Sequence, residues 1–310
     1  MAHGHDHAPK DFNLAFALGT ALNMTFVLVE AGYGLASGSL ALMADAGHNL
    51  SDVMALVMAW AAMVMANRRA TARHTFGLKK GTILVSLASA LFLYGAMGII
   101  LREALGRLRS PGPVAEGTVI AVAAVGVVIN TATALLFMRG RKSDLNIKGA
   151  FLHMAGDAAI SAGVVAAGTV IAFTGWYWLD PAVSIGIAVL ILVTGWGLLR
   201  DSLHLAMGGV PANIDGQAVL GYLSGLPGVK LVHDLHIWAA STTENVLTAH
   251  LVMPDGADDR FLHKVAEELD RDFSIHHATL QVEREDTGEE CRISRKDRGR
   301  CWPEGEGQRG

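Results

Sequence analysis

The sequence predicts an α-helical membrane protein in which six transmembrane helices are followed by a small α/β domain. Of its 310 residues 51% are hydrophobic and 17% charged, a balance too apolar for an ordinary soluble chain. The apolarity is also uneven. Up to about residue 200 it is gathered into six long blocks, and the last third has ordinary soluble composition, so the domains expected are residues 12–200 and 201–286, flanked by a His-rich arm (1–11) and a charged tail (287–310). The net charge of −4 gives no reason to expect nucleic acid as a partner. Both cysteines, Cys291 and Cys301, lie in the tail, so no disulfide framework is expected.

The N-terminal arm carries His3, His5 and His7, equally compatible with a metal-collecting segment and with an idle polar tail. No cleavable signal peptide is expected ahead of the first span, since the N-terminus is polar and His-rich. That span, about 13–35, is long enough at ~1.5 Å per residue to cross the hydrocarbon core, and its only charged residue is Glu30, expected at headgroup level. The second span, 40–66, contains Asp45-Ala-Gly-His48-Asn-Leu-Ser-Asp52. The third (81–101) and fourth (117–138) carry no charge, and Ser86, Ala88, Ser89, Gly95 and Gly98 suit the third to close helix packing. The fifth, 149–174, contains His153-Met-Ala-Gly-Asp157, and Trp176, Tyr177 and Trp178 mark the interface before the sixth, 178–199.

In both motifs a His and an Asp four residues apart share one helix face. Turned toward each other, the two faces offer two imidazoles and two carboxylates, a tetrahedral set for a divalent cation with zinc as the first candidate. Two Asp charges offset the ion's charge where unpaired charge is costly. A lone intramembrane His or Asp more often holds helices together; two HxxxD copies on different spans favour ligands. Asp45 falls on nearly the same face as His48 and Asp52, and is placed behind the ligands, toward the outer mouth or exit path.

The loops after the second and fourth spans hold nine Lys and Arg residues, those after the first, third and fifth only three. The positive side is cytoplasmic, so both termini and the α/β domain are expected there. In that domain 215–223 reads as a helix, 229–239 and 246–253 as a strand hairpin, 258–273 as an amphipathic helix capped by Asp258, and 276–283 as a last strand. This order gives an open-faced sheet with helices on one side. The domain holds His233, His236, His250, His263, His276 and His277. Strand parity places His233 and His250 toward a packed face. Any one of these His is most simply structural, but the set, with Glu283 nearby, points to a regulatory metal site.

Together, Ser39-Leu-Ala-Leu-Met-Ala-Asp45-Ala-Gly-His48-Asn-Leu-Ser-Asp52, Phe151-Leu-His153-Met-Ala-Gly-Asp157, Trp178-Leu-Asp180-Pro181 and Val232-His233-Asp-Leu-His236-Ile-Trp238 resemble the cation diffusion facilitator family, in its bacterial zinc-transporting branch. The resemblance runs from about residue 13 to 283. It implies a ferredoxin-like, copper-chaperone-like cytosolic domain, a homodimer in the inner membrane, and proton-coupled export of Zn2+, with Cd2+ or Co2+ also possible substrates, from the cytosol. It carries the transport site onto His48, Asp52, His153 and Asp157, and cytosolic ligands onto His233, His250 and Glu283, with His263 and His276 as weaker matches. Lys79-Lys80-Gly81 replaces an Arg and a Glu common in relatives, which puts charge pairing of that loop in doubt. His74, in the same loop, matches a ligand in some relatives but is most simply solvated.

Three other classes are weighed. A membrane zinc protease would need an HExxH motif and a general base at an open metal position, and the HExxH is absent. A membrane-anchored sensor leaves two ligand-bearing spans unexplained. Manganese or iron sites favour more oxygen ligands than two His residues leave. Nickel stays open beside zinc, cadmium and cobalt, as does a facilitator without proton coupling. No enzymatic activity is expected.

Overall fold

The computed structural model describes residues 12–66, 70–138 and 145–284. The His-rich arm, the tail with Cys291 and Cys301, and Arg68, Arg69, Arg139, Arg141 and Lys142 lie outside them. Backbone groups in lipid must pair within their own segment, and each apolar block is helical: α1 (Phe12–Ser37), α2 (Leu40–Ala66), α3 (Gly81–Arg109), α4 (Glu116–Phe137), α5 (Leu145–Thr174) and α6 (Leu179–Ala206). Among the described residues four of them, α3 to α6, are long and apolar enough to cross a membrane. The helices then give way to α7 (Gly216–Ser224), β1 (Leu231–Ala239), β2 (Asn245–Val252), α8 (Asp259–Phe273) and β3 (His277–Glu283).

Two helices outrun the hydropathy pattern. α3 continues to Arg109 and α6 to Ala206, because hydropathy marks where lipid ends rather than where helix propensity ends. Beyond the apolar part of α3, Arg107 and Glu103 form an i,i+4 ion pair at 3.2 Å.

The described residues divide into two compact units, one of those up to Met58 with those of Ala88–Leu199, the other of those of Ala59–Leu87 with those from Arg200 to Arg284. The first has its core among Leu42 and Ala44 of α2, Leu93 and Met97 of α3, Ala123 of α4, Val164 of α5 and Ile187 and Ile191 of α6. Of the small residues of α3, Ser89 is buried, but Gly95 and Gly98 are not at close contacts. A Cβ on Gly95 or Gly98 would meet nothing within 4 Å, whereas one on Gly126 would lie 3.1 Å from Phe26 and Ser161, and one on Gly168 3.0 Å from Ile120. Close approaches at glycine thus occur at the contact of α4 with α5 and α1.

In the second unit β2 is central, antiparallel to β1 and parallel to β3, the parallel pair being joined through α8 as such a crossover requires. Asp215 caps α7 by accepting from the Gln217 and Ala218 amides, and Asp258 caps α8 by accepting from Phe261 N at 2.8 Å. Val219 and Leu223 of α7 and Val265 and Leu269 of α8 pack on Leu235, Ile237, Leu247, Ala249 and Leu251, so both helices cover one face. The α2–α3 loop belongs to this unit. Lys79 Nζ lies 2.5 Å from Glu244 Oε2, and Thr82 Oγ1 accepts from Thr242 N. The lysine therefore does pair, with the hairpin turn rather than with a neighbour in its own loop.

Candidate metal centres

α2 begins at a buried junction with α6. Ser39, the residue before α2, accepts from Leu42 N at 3.1 Å, while Asp180 accepts from the Ser39 hydroxyl at 2.5 Å and from Leu40 N at 2.8 Å. A carboxylate at a helix N-terminus satisfies orphan amides and complements the helix dipole. Asp180, which the sequence marks only as part of a motif, thus fixes where α2 starts. Two turns on, α2 packs closely on α3, where a Cβ on Gly47 would lie 2.9 Å from Met97 Cε.

His48 and Asp52 of α2 face His153 and Asp157 of α5. His48 Nε2 is 3.2 Å from Asp157 Oδ1 and 3.7 Å from Asp52 Oδ2; His153 Nε2 is 3.3 Å from Asp52 Oδ2 and 3.7 Å from Asp157 Oδ2. Each His is nearer the other helix's carboxylate than its own. The rings meet edge-on with centroids 6.0 Å apart, and the donor atoms of all four lie within 4.8 Å of one another. Donors on a tetrahedron of about 2 Å radius are separated by roughly 3.3 Å, so the His–Asp spacings are close to those of a filled coordination sphere. Asp52 Oδ2 is buried against the two imidazoles. Asp157 is buried, whereas the His153 side chain keeps 44% of its exposure, leaving one side of the cluster accessible.

Asp45 stands outside this group. It is fully buried and accepts from Ser161 Oγ of α5 at 2.7 Å. Glu30, expected at headgroup level, is also fully buried, with its Oε2 accepting from Asn49 Nδ2 at 3.1 Å. A single acid in an apolar run carries no sign of the partner another helix will bring, so composition misplaced it.

The second cluster lies on the sheet. His233, His250 and Glu283 come from β1, β2 and β3, with His233 Nε2 at 3.0 Å from Glu283 Oε2 and His250 Nδ1 at 2.9 Å from Glu283 Oε1. Parity had placed both His toward the packed face. For His233 a bulge between His233 and His236, with Asp234 at φ +51°, reverses the alternation against Leu235. His250 keeps its parity with Val246 and Val252, but that side of β2 lies opposite the core residues Leu247, Ala249 and Leu251, so His233, His236 and His250 share the face away from the helices. Asp234, which the sequence reading passed over, sits 3.0 Å from His236 Nε2 and 3.5 Å from His250 Nε2. An Asp tolerates left-handed backbone better than most residues, and Asp followed two residues later by His was the available signal. Burial pushes the Glu283 carboxyl up, but hydrogen bonds from His233 and Gln281 and the charges of His233 and His250 outweigh it and leave it below the usual range.

Neither weaker match joins this group. His263 lines a groove of about 360 Å3 between α8 and β3 with Asp259, Leu262 and Thr279, and exposed His276 accepts from Asn245 N through Nδ1. His277 packs edge-on against Phe76. His74 is exposed in the α2–α3 loop.

The profile of the cation efflux transmembrane domain matches residues 17–205, and that of the cation efflux protein cytoplasmic domain residues 211–285. The chain is 38% identical to the metal cation efflux system protein CzcD of Cupriavidus metallidurans, over 91% of this chain and 89% of that one. It is 36% identical to the zinc transporter ZitB of Escherichia coli (95% and 96%) and 34% identical to the cadmium, cobalt and zinc/H(+)-K(+) antiporter of Bacillus subtilis (91% and 92%).

Proposed function

The chain belongs to the cation diffusion facilitator family, in its zinc-transporting branch, and on that premise we propose that it is a secondary transporter exporting Zn2+ from the cytosol in exchange for protons, by alternating access. It is a membrane protein of a family of transporters, not of enzymes. The observation that carries the proposal is the convergence of His48, Asp52, His153 and Asp157 at near-coordination spacing. Such a set binds a divalent ion with the charge balanced, and four strong ligands at one depth hold too tightly for a passive pore. Cd2+ and Co2+ have compatible ligand preferences, and the Bacillus subtilis relative is named for both.

The imidazoles must be neutral to ligate, so metal and protons compete for His48 and His153. An imidazole's ordinary pKa of about 6.5 puts this competition near physiological pH. When the site opens inward, loss of protons admits the ion; when it opens outward, protonation expels it. Placement in the inner membrane follows from the family, and the orientation with both termini cytosolic rests on the Lys and Arg asymmetry of the loops. Homodimerisation is supported by the match to the cytoplasmic domain of this family. The cluster at His233, His250 and Glu283 offers three protein ligands to a regulatory ion.

Uptake of Zn2+, Cd2+ and Co2+ into everted vesicles, under an imposed pH gradient, tests the reading. Acid-inside vesicles should accumulate Zn2+ several-fold faster than vesicles without a gradient, and addition of Zn2+ should discharge part of the gradient. Zn2+ uptake that moves no protons would leave a facilitator driven by the ion gradient alone.

A further inference from the structure

Beside the four donors lies a second buried polar group. Glu30 of α1 and Asp45 of α2 are both 0% exposed. Each has one carboxyl oxygen satisfied, Glu30 Oε2 by Asn49 and Asp45 Oδ2 by Ser161. Among the described residues the other two oxygens, Glu30 Oε1 and Asp45 Oδ1, meet no donor, although the two carboxyls are within hydrogen-bonding reach of each other. Ionised carboxylates only accept hydrogen bonds, and two of them cannot stay charged side by side in an apolar interior. One proton between them supplies the missing donor to both.

We propose that Glu30 and Asp45 together bind a single exchangeable proton, at a site separate from the four metal donors and one helical turn from them. Asp45 precedes His48 by three residues on α2, and its partner Ser161 follows Asp157 by four on α5, so the pair sits about 5 Å along the helices on the side of the α2 N-terminus. The ionisable groups that reach Asp45 from the packed helices are Glu30 of α1, His48 of its own helix and Asp157 of α5. α4, which contributes Gly126 beside Ser161, carries no ionisable residue between Gly117 and Phe137. A divalent ion at His48 and Asp157 therefore repels the proton from the pair, and by linkage a proton on the pair weakens metal binding. This inference rests on the reading that the four donors bind the transported metal.

The test is calorimetry of Zn2+ binding to the full-length protein in buffers of different ionisation enthalpy, for wild type, Glu30→Gln, Asp45→Asn and Glu30→Asp. The wild type should release about one proton more per Zn2+ than Glu30→Gln or Asp45→Asn, with Zn2+ affinity at alkaline pH kept within about threefold. Glu30→Asp, which keeps the carboxyl, should restore the lost proton. Equal release from wild type and Glu30→Gln, with binding retained, would overturn the inference while leaving the metal site standing. Loss of Zn2+ binding in His48→Ala, with Glu30→Gln still binding, separates the two sites; retained binding in His48→Ala would overturn the metal reading and this inference with it. Should the amide variants fail to fold, infrared difference spectra of the wild type decide: a protonated-carboxyl band lost on adding Zn2+ supports the shared proton, and its absence refutes it.

Discussion

The two His-and-carboxylate clusters use the same chemistry on different frames. In the membrane, four donors come from two helices, and polar contacts that brace them lie between separate helices: Ser161 to Asp45, Asn49 to Glu30, Asp180 at the head of α2. On the sheet, three donors come from adjacent strands in one hydrogen-bonded ladder, His250 lying opposite His233 and two residues from the pairing of Val252 with Glu283. Helices can slide or tilt apart and so dismantle a site, whereas neighbouring strands cannot separate without breaking the sheet. The charges differ in the same sense. Two carboxylates neutralise a divalent ion, as a travelling site in lipid requires. One carboxylate with two imidazoles leaves net positive charge and an open coordination position, tolerable at a half-exposed surface.

The largest expected effect breaks the membrane cluster. Asp157→Ala removes a buried donor and half of the compensating charge, so vesicle Zn2+ flux should fall about 100-fold or more; His48, Asp52 and His153 replaced by Ala should do much the same. Flux near wild type in Asp157→Ala would remove the contrast between a travelling and a resident site.

Asp180→Ala should act next, and through position alone. It leaves the buried Ser39 hydroxyl and Leu40 amide without their acceptor, at about 2 kcal/mol or more, so the thermal midpoint should drop and flux should fall several-fold. Zn2+ affinity, once the ion is bound, should change far less than in Asp157→Ala. A stability indistinguishable from wild type would mean that α2 is held elsewhere.

The sheet cluster should be dispensable for flux. Replacing His233, His250 and Glu283 together by Ala is expected to lower the maximal rate by about two- to fivefold, and to remove one class of Zn2+ site from equilibrium titrations. Complete loss of transport with a folded membrane unit would make these residues part of the obligatory path.

The membrane cluster was legible because helical spacing is rigid: an i,i+4 His and Asp share a face whatever surrounds them, and a second copy supplies the other half. The sheet cluster was legible in its members but not in its geometry. Period-two alternation holds only while the ladder is regular, and on β1 one left-handed residue, Asp234, reversed it for His233. On β2 the alternation held, but it does not say which of two apolar sides the helices cover. Glu30 was misplaced for a third reason, since its surroundings come from α2, and pairing between helices leaves no periodic trace. The same holds for Asp180 and Lys79, whose partners are 140 and 165 residues away.

The smallest effect sharpens the comparison through pH. The Glu283 carboxyl sits below its ordinary value of 4.5, because hydrogen bonds from His233 and Gln281 and the charges of His233 and His250 outweigh burial. For a group lowered on folding, the stabilisation is fully present above the unfolded value and is lost as pH falls through the folded one. In metal-free full-length protein, Glu283→Gln should therefore lower the thermal midpoint of the sheet-containing unit by a constant amount down to about pH 5. Below about 4.5 the gap should shrink, and it should vanish once both folded and unfolded carboxyls are protonated. Saturating Zn2+ should widen the gap at neutral pH, because the ion binds the folded cluster and Glu283 is one of its donors. A gap that grows on acidification would mean that His233 and His250 hold the protonated carboxyl better than the charged one, and the resident site would lose its anionic ligand.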